Sequence, residues 1–353
     1  MQPLLPVRHP EQDFFICDFG DVIPKSDIAS MEHPLFTLST KPDVAIRHYE
    51  HNGNSVTIIP SVLGLATIKD KDILIYCISQ LMKGVNEAID KAKAKGQEEY
   101  EAPSRKIRFK AYDLLVTTNR GTGGTEYKLL RKAFERLAGT LITTDIKTNE
   151  KQISEGFGII DSYKIVHENP TTKRMVELEL TLSEWLYNSI LGREVLSINR
   201  NYFRLRKPIE RRIYEIARKY CGKNPQWKIG LDKLHKKVGS SGTKEKFKHM
   251  LNHMIKHNHL PDYRVAIEEN NIVTFYNKNR QQTYNHNSDN LKEPFVKIET
   301  IEKAKKIIRP FGLDVYALKD DWILWWRESG EQKLNSPDGA FINFCKKRIR
   351  KIN

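Results

Sequence analysis

Between residues 243 and 257 the run TKEKFKHMLNHMIKH alternates two kinds of side chain at helical spacing. Phe247, Met250, Leu251, Met254 and Ile255 form an apolar stripe. That leaves Thr243, Lys244, Lys246, Lys248, His249, Asn252, His253 and Lys256 on the other faces. Ammonium groups neutralise phosphate, while imidazole and carboxamide groups hydrogen-bond base edges. The pattern therefore carries the chemistry of nucleic-acid recognition. The N-terminal half of a recognition helix meets base edges, which singles out Thr243, Lys244, Lys246 and Lys248, with His249 and Asn252 behind them. Upstream, Arg204, Arg206, Lys207, Arg211 and Arg212 crowd the start of another helix and suit phosphate contacts, which position a protein without reading sequence. Arg264, in a following hairpin, suits a grip on the backbone or a minor groove.

The elements that must position these side chains are legible around them. YFRLRKPIERRIYEIARKYCG reads as a helix, WKIG as a short strand and LDKLHKKV as a second helix. A Gly-Ser turn leads into the 243–257 helix, and YRVAIEENNIVTFYN closes with a strand-turn-strand. This is the layout of a winged helix. The same order appears upstream. A helix opens at Asp70, with Ile73, Leu74, Cys77, Ile78, Leu81, Val85 and Ile89 on its apolar face. KIRFKAYDLLVTTN gives a strand and short helix, GTGGT a turn, and EYKLLRKAFERLAGT a second candidate reading helix. Thr122, Gly123, Thr125, Lys128, Arg131 and Lys132 are its exposed candidates. Three extended runs follow.

The expected fold class is therefore α+β, with two tandem winged-helix domains plus a small C-terminal helical unit. The expected boundaries are a mobile acidic arm at 1–32, domain 1 at 33–190, domain 2 at 191–280, a polar linker at 281–292 and the helical unit at 293–353. In that last unit Trp322, Trp325 and Trp326 share one helix and are expected in its core.

Charge supports the assignment of domain 2 to a polyanion. The chain carries a net charge of +15, and residues 191–280 hold 21 Lys and Arg against 8 Asp and Glu. Cys17, Cys77, Cys221 and Cys345 are far apart, which argues against a zinc site or a disulfide framework and suits a reducing cytoplasm. No signal pattern opens the chain, and no run approaches the ~20 apolar residues needed to span a bilayer. GTGGTEYK lacks the GK[ST] ending of a phosphate loop. His249, His253 and His257 recur every four residues, but no carboxylate or cysteine completes a metal set nearby. Asn285-His286-Asn287 lies in the linker without partners. No catalytic group, metal or cofactor is expected.

Several separate motifs, in order, carry a resemblance. NYFRLRKPIERRIYEIARKYCG, the basic helix after it and HLPDYRVAIEENNIVTFYN resemble the replication initiator protein A family of bacterial plasmids. DKDILIYCISQL, RFKAYDLLVTTNRGTGGTEYKLLRKAFERLAGTLITT and ELTLSEWLYNSI match its first half. The resemblance implies binding to directly repeated sites in double-stranded origin DNA, opening of adjacent AT-rich DNA, and recruitment of the host initiator and replicative helicase. It also implies a homodimer that represses its own gene. Carried onto this chain, the site-reading segments are Gly121 to Arg136 and Ser241 to His257. Three competing expectations are a winged-helix repressor without origin function, a DNA-cleaving enzyme, and an adaptor whose Trp-rich tail docks a replisome protein.

Overall fold

The computed structural model describes residues 23–51, 54–148, 151–167, 175–280, 294–308, 315–328 and 334–350. Residues 1–22 of the expected arm and the expected linker lie outside the described residues. The molecule is mixed α and β and forms two compact units. One runs to Cys221 and resumes over Gln226–Tyr276; the other takes Gly222–Pro225 and the chain from Asn277 onward.

In the first unit, one sequence of elements occurs twice. Its first copy comprises helix α2 (Lys71–Ala94), strand β4 (Lys106–Lys110), helices α3 (Ala111–Thr117) and α4 (Gly124–Gly139), and strands β7 (Ile160–His167) and β8 (Met175–Leu182). Its second copy comprises α6 (Pro208–Tyr220), β10 (Gln226–Gly230), α7 (Leu231–Val238), α8 (Lys244–His257), β11 (Tyr263–Ile267) and β12 (Ile272–Asn277). Both three-stranded sheets place the last strand in the middle: β4-β8-β7 and β10-β12-β11. Period-two patterning explains the central strand of the first. In MVELELTL, Leu178, Leu180 and Leu182 are buried while the glutamates alternate with them.

The first copy carries an insertion. Strands β5 (Leu141–Thr148) and β6 (Lys151–Gly158) do not join its sheet. They extend the hairpin of β2 (Arg47–His51) and β3 (Asn54–Ile59) into a separate sheet ordered β2-β3-β5-β6. The stretch GFGIIDSYKIVH is thus divided between two sheets. The chain turns at Gly158, where a Cβ would lie 2.9 Å from the Ile160 carbonyl oxygen.

The arm expected to end at residue 32 is corrected at its C-terminal end. Strand β1 (Lys25–Asp27) pairs antiparallel with β9 (Val195–Ser197), and α1 (Ile28–Glu32) follows directly. Asp27 caps α1, accepting from the Ser30 amide at 2.7 Å. Helix α5 (Glu184–Leu191) leads into β9 and a 3₁₀ turn over Arg200–Arg204.

The second unit holds α9 (Ile298–Ile308), α10 (Val315–Glu328) and α11 (Pro337–Arg350) around Ile301, Ala304, Trp322, Phe341 and Cys345. Ser336 caps α11, accepting from the Gly339 amide at 3.1 Å, with Pro337 as its first residue. Trp322 and Trp326 are buried as expected, but Trp325 is 51% exposed.

Candidate nucleic-acid interface

Helix α8 buries Phe247, Leu251 and Met254. Lys246, His249, Asn252, His253 and Lys256 are exposed and recur at three- and four-residue spacing. From Lys246 to Lys256 this stripe is about 15 Å long, and an α-helix is slim enough for a B-DNA major groove. Three of the expected base readers have protein partners. Thr243 is the N-cap, and its hydroxyl accepts from the Lys246 amide. Lys244 pairs with Asp232. Lys248 donates to the Asn271 side chain at 2.8 Å, tying the helix to the tip of the β11–β12 hairpin. Asn271 itself adopts φ 58°. Arg264 is exposed, with its guanidinium 4.7 Å from the Tyr276 ring centroid.

The far end of the stripe gathers groups that sequence spacing alone could not pair. Lys207 Nζ lies 3.2 Å from His253 Nδ1, and the His253 and His257 rings stack at 4.2 Å. The charge of Lys207 leads the effects that lower the His253 pKa. His259 contacts Glu210 at 3.0 Å. Arg204 and Arg206 are half-buried at the start of α6, while Lys207 is exposed.

Arg211 and Arg212 require a correction: they are 4% and 1% exposed and face inward. Arg211 pairs with Asp72 at the start of α2, donates from Nε to the Leu205 carbonyl at 2.9 Å and covers the Tyr202 ring. Arg212 Nη1 donates to the carbonyls of Ser30 and Met31 at 2.9 and 3.0 Å. Its Nη2 donates to those of Glu32 and Lys237 at 3.2 and 2.9 Å. These carbonyls belong to the last turns of α1 and α7, which lack partners within their own helices, so one guanidinium closes two helix ends. A charge enters a protein interior only when paired and hydrogen-bonded, and both arginines meet that condition. Periodicity could not reveal this, because it assigns Arg to the surface.

The same network joins the two copies. Lys71 Nζ is 2.9 Å from Glu215 Oε1 on α6, and Tyr202 donates to the same oxygen at 2.8 Å. Arg120 reaches Asp72 at 3.1 Å, and Arg136 grips Asp70 through Nε and Nη2 at 2.7 and 2.8 Å. Asp70, Lys71, Asp72 and Glu215 were not among the expected site residues. On the first copy, Thr122 and Gly123, just before α4, and Thr125, Lys128, Arg131 and Lys132 along it are all exposed.

The family model for replication initiator protein A matches residues 25–265. The chain belongs to the replication initiator protein A family. Within that span lie the 25–32 segment, the first copy of the repeated architecture and the second copy as far as the start of β11. A curated protein of Wigglesworthia glossinidia brevipalpis named "Putative replication protein" is 40% identical over 267 residues, covering 75% of this chain and 93% of its own length. Among solved structures, the chain resembles domains 2 and 3 of RctB with a TM-score of 0.52 at 12% identity, covering 71% of this chain and 96% of that one. At that identity the likeness concerns the fold alone. Among the described residues no group of three His, Cys, Asp or Glu is placed to hold a metal, and no helix is long and apolar enough to cross a membrane.

Proposed function

We propose that this replication initiator acts by binding directly repeated sites in double-stranded origin DNA through two tandem winged helices. The repeated element order, with the last strand central in both sheets, is the observation that carries this reading. Helices α4 and α8 are then the two reading helices, and the hairpins β7–β8 and β11–β12 are the wings. Two modules held in one unit engage adjacent grooves at high effective concentration. No nucleotide hydrolysis is invoked. Opening of adjacent AT-rich DNA is driven by binding, bending and superhelical tension, since TA steps unstack cheaply. The host initiator and replicative helicase are the partners recruited to the opened site, and a homodimer represses the chain's own gene.

The test is footprinting of the purified protein on the DNA flanking its gene, with permanganate to detect unpaired thymines. Protection of regular direct repeats with reactivity in a neighbouring AT-rich stretch is the expected outcome. Protection of a lone inverted repeat without melting identifies a repressor and sinks the proposal. Metal-dependent cleavage of supercoiled plasmid would instead reveal a DNA-cutting enzyme.

A further inference from the structure

Resting on the reading of α8 as a groove-borne helix, we infer that Lys207, His253 and His257 form a phosphate clamp whose grip on duplex DNA takes up a proton. The N-terminal half of a reading helix meets base edges, and its C-terminal end passes the sugar-phosphate backbone. His253 and His257 stand at that end of α8, both exposed and one turn apart, with ring centroids separated by 4.2 Å. Lys207, the N-cap of α6, brings its Nζ to 3.2 Å from His253 Nδ1. Two helices thus converge an ammonium and two imidazoles on one open spot. His257 Nδ1 lies 2.7 Å from the backbone carbonyl of His253. A carbonyl can only accept, so Nδ1 carries a hydrogen, and Nε2 is the nitrogen at which the titrating proton enters and leaves.

Charge complementarity chooses the occupant. The groups facing His253 are Lys207, His257, His249 and Glu210, and Asn252 and Lys256 share the exposed face. The charge of Lys207 leads, burial and the two histidines add to it, Glu210 opposes it, and the sum disfavours the charged ring. Glu210 is 3% exposed, bonded to His259 at 3.0 Å and 3.8 Å from Lys207. Burial would raise its pKa, but His259 and Lys207 hold it below the usual carboxylate range, so it is not the group that titrates near neutral pH. Like charges gathered at a surface repel one another until an anion joins them. A backbone phosphate is that anion: it accepts from Lys207 and from a protonated imidazole, so the complex favours the charged ring that the free protein resists. The gain in affinity therefore appears as pH falls through the pKa of the complex, and it levels off below that of the free protein. A phosphodiester keeps its single charge throughout, so the proton is the protein's. Phosphates are alike at every base pair, so the clamp positions the helix without reading sequence.

The experiment measures the affinity of the full chain for an origin duplex and for a random duplex, by anisotropy, across about pH 6 to 8, where imidazole titrates, and across a salt series. Log affinity should rise as pH falls, on both duplexes, with a slope approaching about −1 per pH unit for one proton taken up. Replacing His253 and His257 together by Gln should flatten that slope. Both side chains are exposed, so the buried stripe of Phe247, Leu251 and Met254 is untouched. His249→Gln, on the same helix, should cost affinity yet keep the slope. Lys207→Met removes the charge that opposes protonation of His253, so it should move the rise to higher pH while lowering the salt slope by about 1. Affinity indifferent to pH, a pH slope that survives the double replacement, or a slope lost in His249→Gln overturns the clamp. So does an unchanged salt slope in the double variant at the acid end of the series, because neither ring then meets a phosphate. Equal affinity for origin and random duplexes strikes the origin-binding reading instead, and the pH slope on the random duplex still decides the clamp.

Discussion

At the scale of single residues, what distinguishes this chain is where it spends its charges. The basic run around residue 211 reads in the sequence as a DNA-facing surface, yet Arg211 and Arg212 are interior groups with protein partners. Replacing Asp72 by Ala leaves Arg211 buried without its carboxylate, and breaking such a pair costs about 3–5 kcal/mol. Urea denaturation should record that loss, whereas exchanging Asp72 and Arg211 together for apolar residues of similar volume should cost far less. Glu32 makes a pH prediction. Burial alone would raise its pKa, but Lys219 and Lys237 overcome this and hold the carboxyl far below its usual value of 4.5. A carboxylate with a depressed folded-state pKa contributes stability that is present above the unfolded value and fades as pH falls below it. The urea midpoint should therefore drop between about pH 5 and lower values, and Glu32→Gln should lower the midpoint at pH 7 while blunting that acid sensitivity.

At the scale of elements, the turn before α8 is fixed by one glycine. Gly239 ends α7 with φ at 71°, and a Cβ there would come within 2.5 Å of the Pro34 Cβ. Gly239→Ala should cost at least about 1 kcal/mol in urea melts, with weaker duplex binding because α8 shifts. Gly242→Ala, with ordinary contacts and no positive φ, is the near-neutral control. Apolar periodicity exposed nearly every helix: α2 buries Ile73, Leu74, Cys77, Ile78, Leu81 and Val85, and α8 buries Phe247, Leu251 and Met254, although Met250 of its expected stripe is 38% exposed. It also placed Lys246, His249 and Asn252 on the open face. It failed where geometry depends on distant chain. Nothing local distinguishes Thr243 as a cap from Thr243 as a base reader, or tells that β5 and β6 leave the sheet they precede. Nor does spacing disclose that Lys207 meets His253 or that Glu215 meets Lys71, because those pairs cross tens of residues.

At the scale of the whole molecule, an exposed stripe of cations makes binding a function of salt. Each phosphate neutralised should add about 0.9 to the slope of log affinity against log salt. Lys246→Ala should lower the magnitude of that slope by about 1 on a duplex, measured by anisotropy across a salt series, if its ammonium sits on a phosphate. A slope near zero for the unaltered protein would refute the basic-face model outright. The placement of the 25–34 segment has a different kind of consequence. Strand β1 completes a ribbon with β9, α1 lends its terminal carbonyls to Arg212, and Pro34 seats against Gly239. The core of the second copy is thus partly written ahead of the first. A chimera that took its front half from one such protein and its back half from another should therefore melt below both parents, unless residues 25–34 come from the same parent as Arg212 and Gly239.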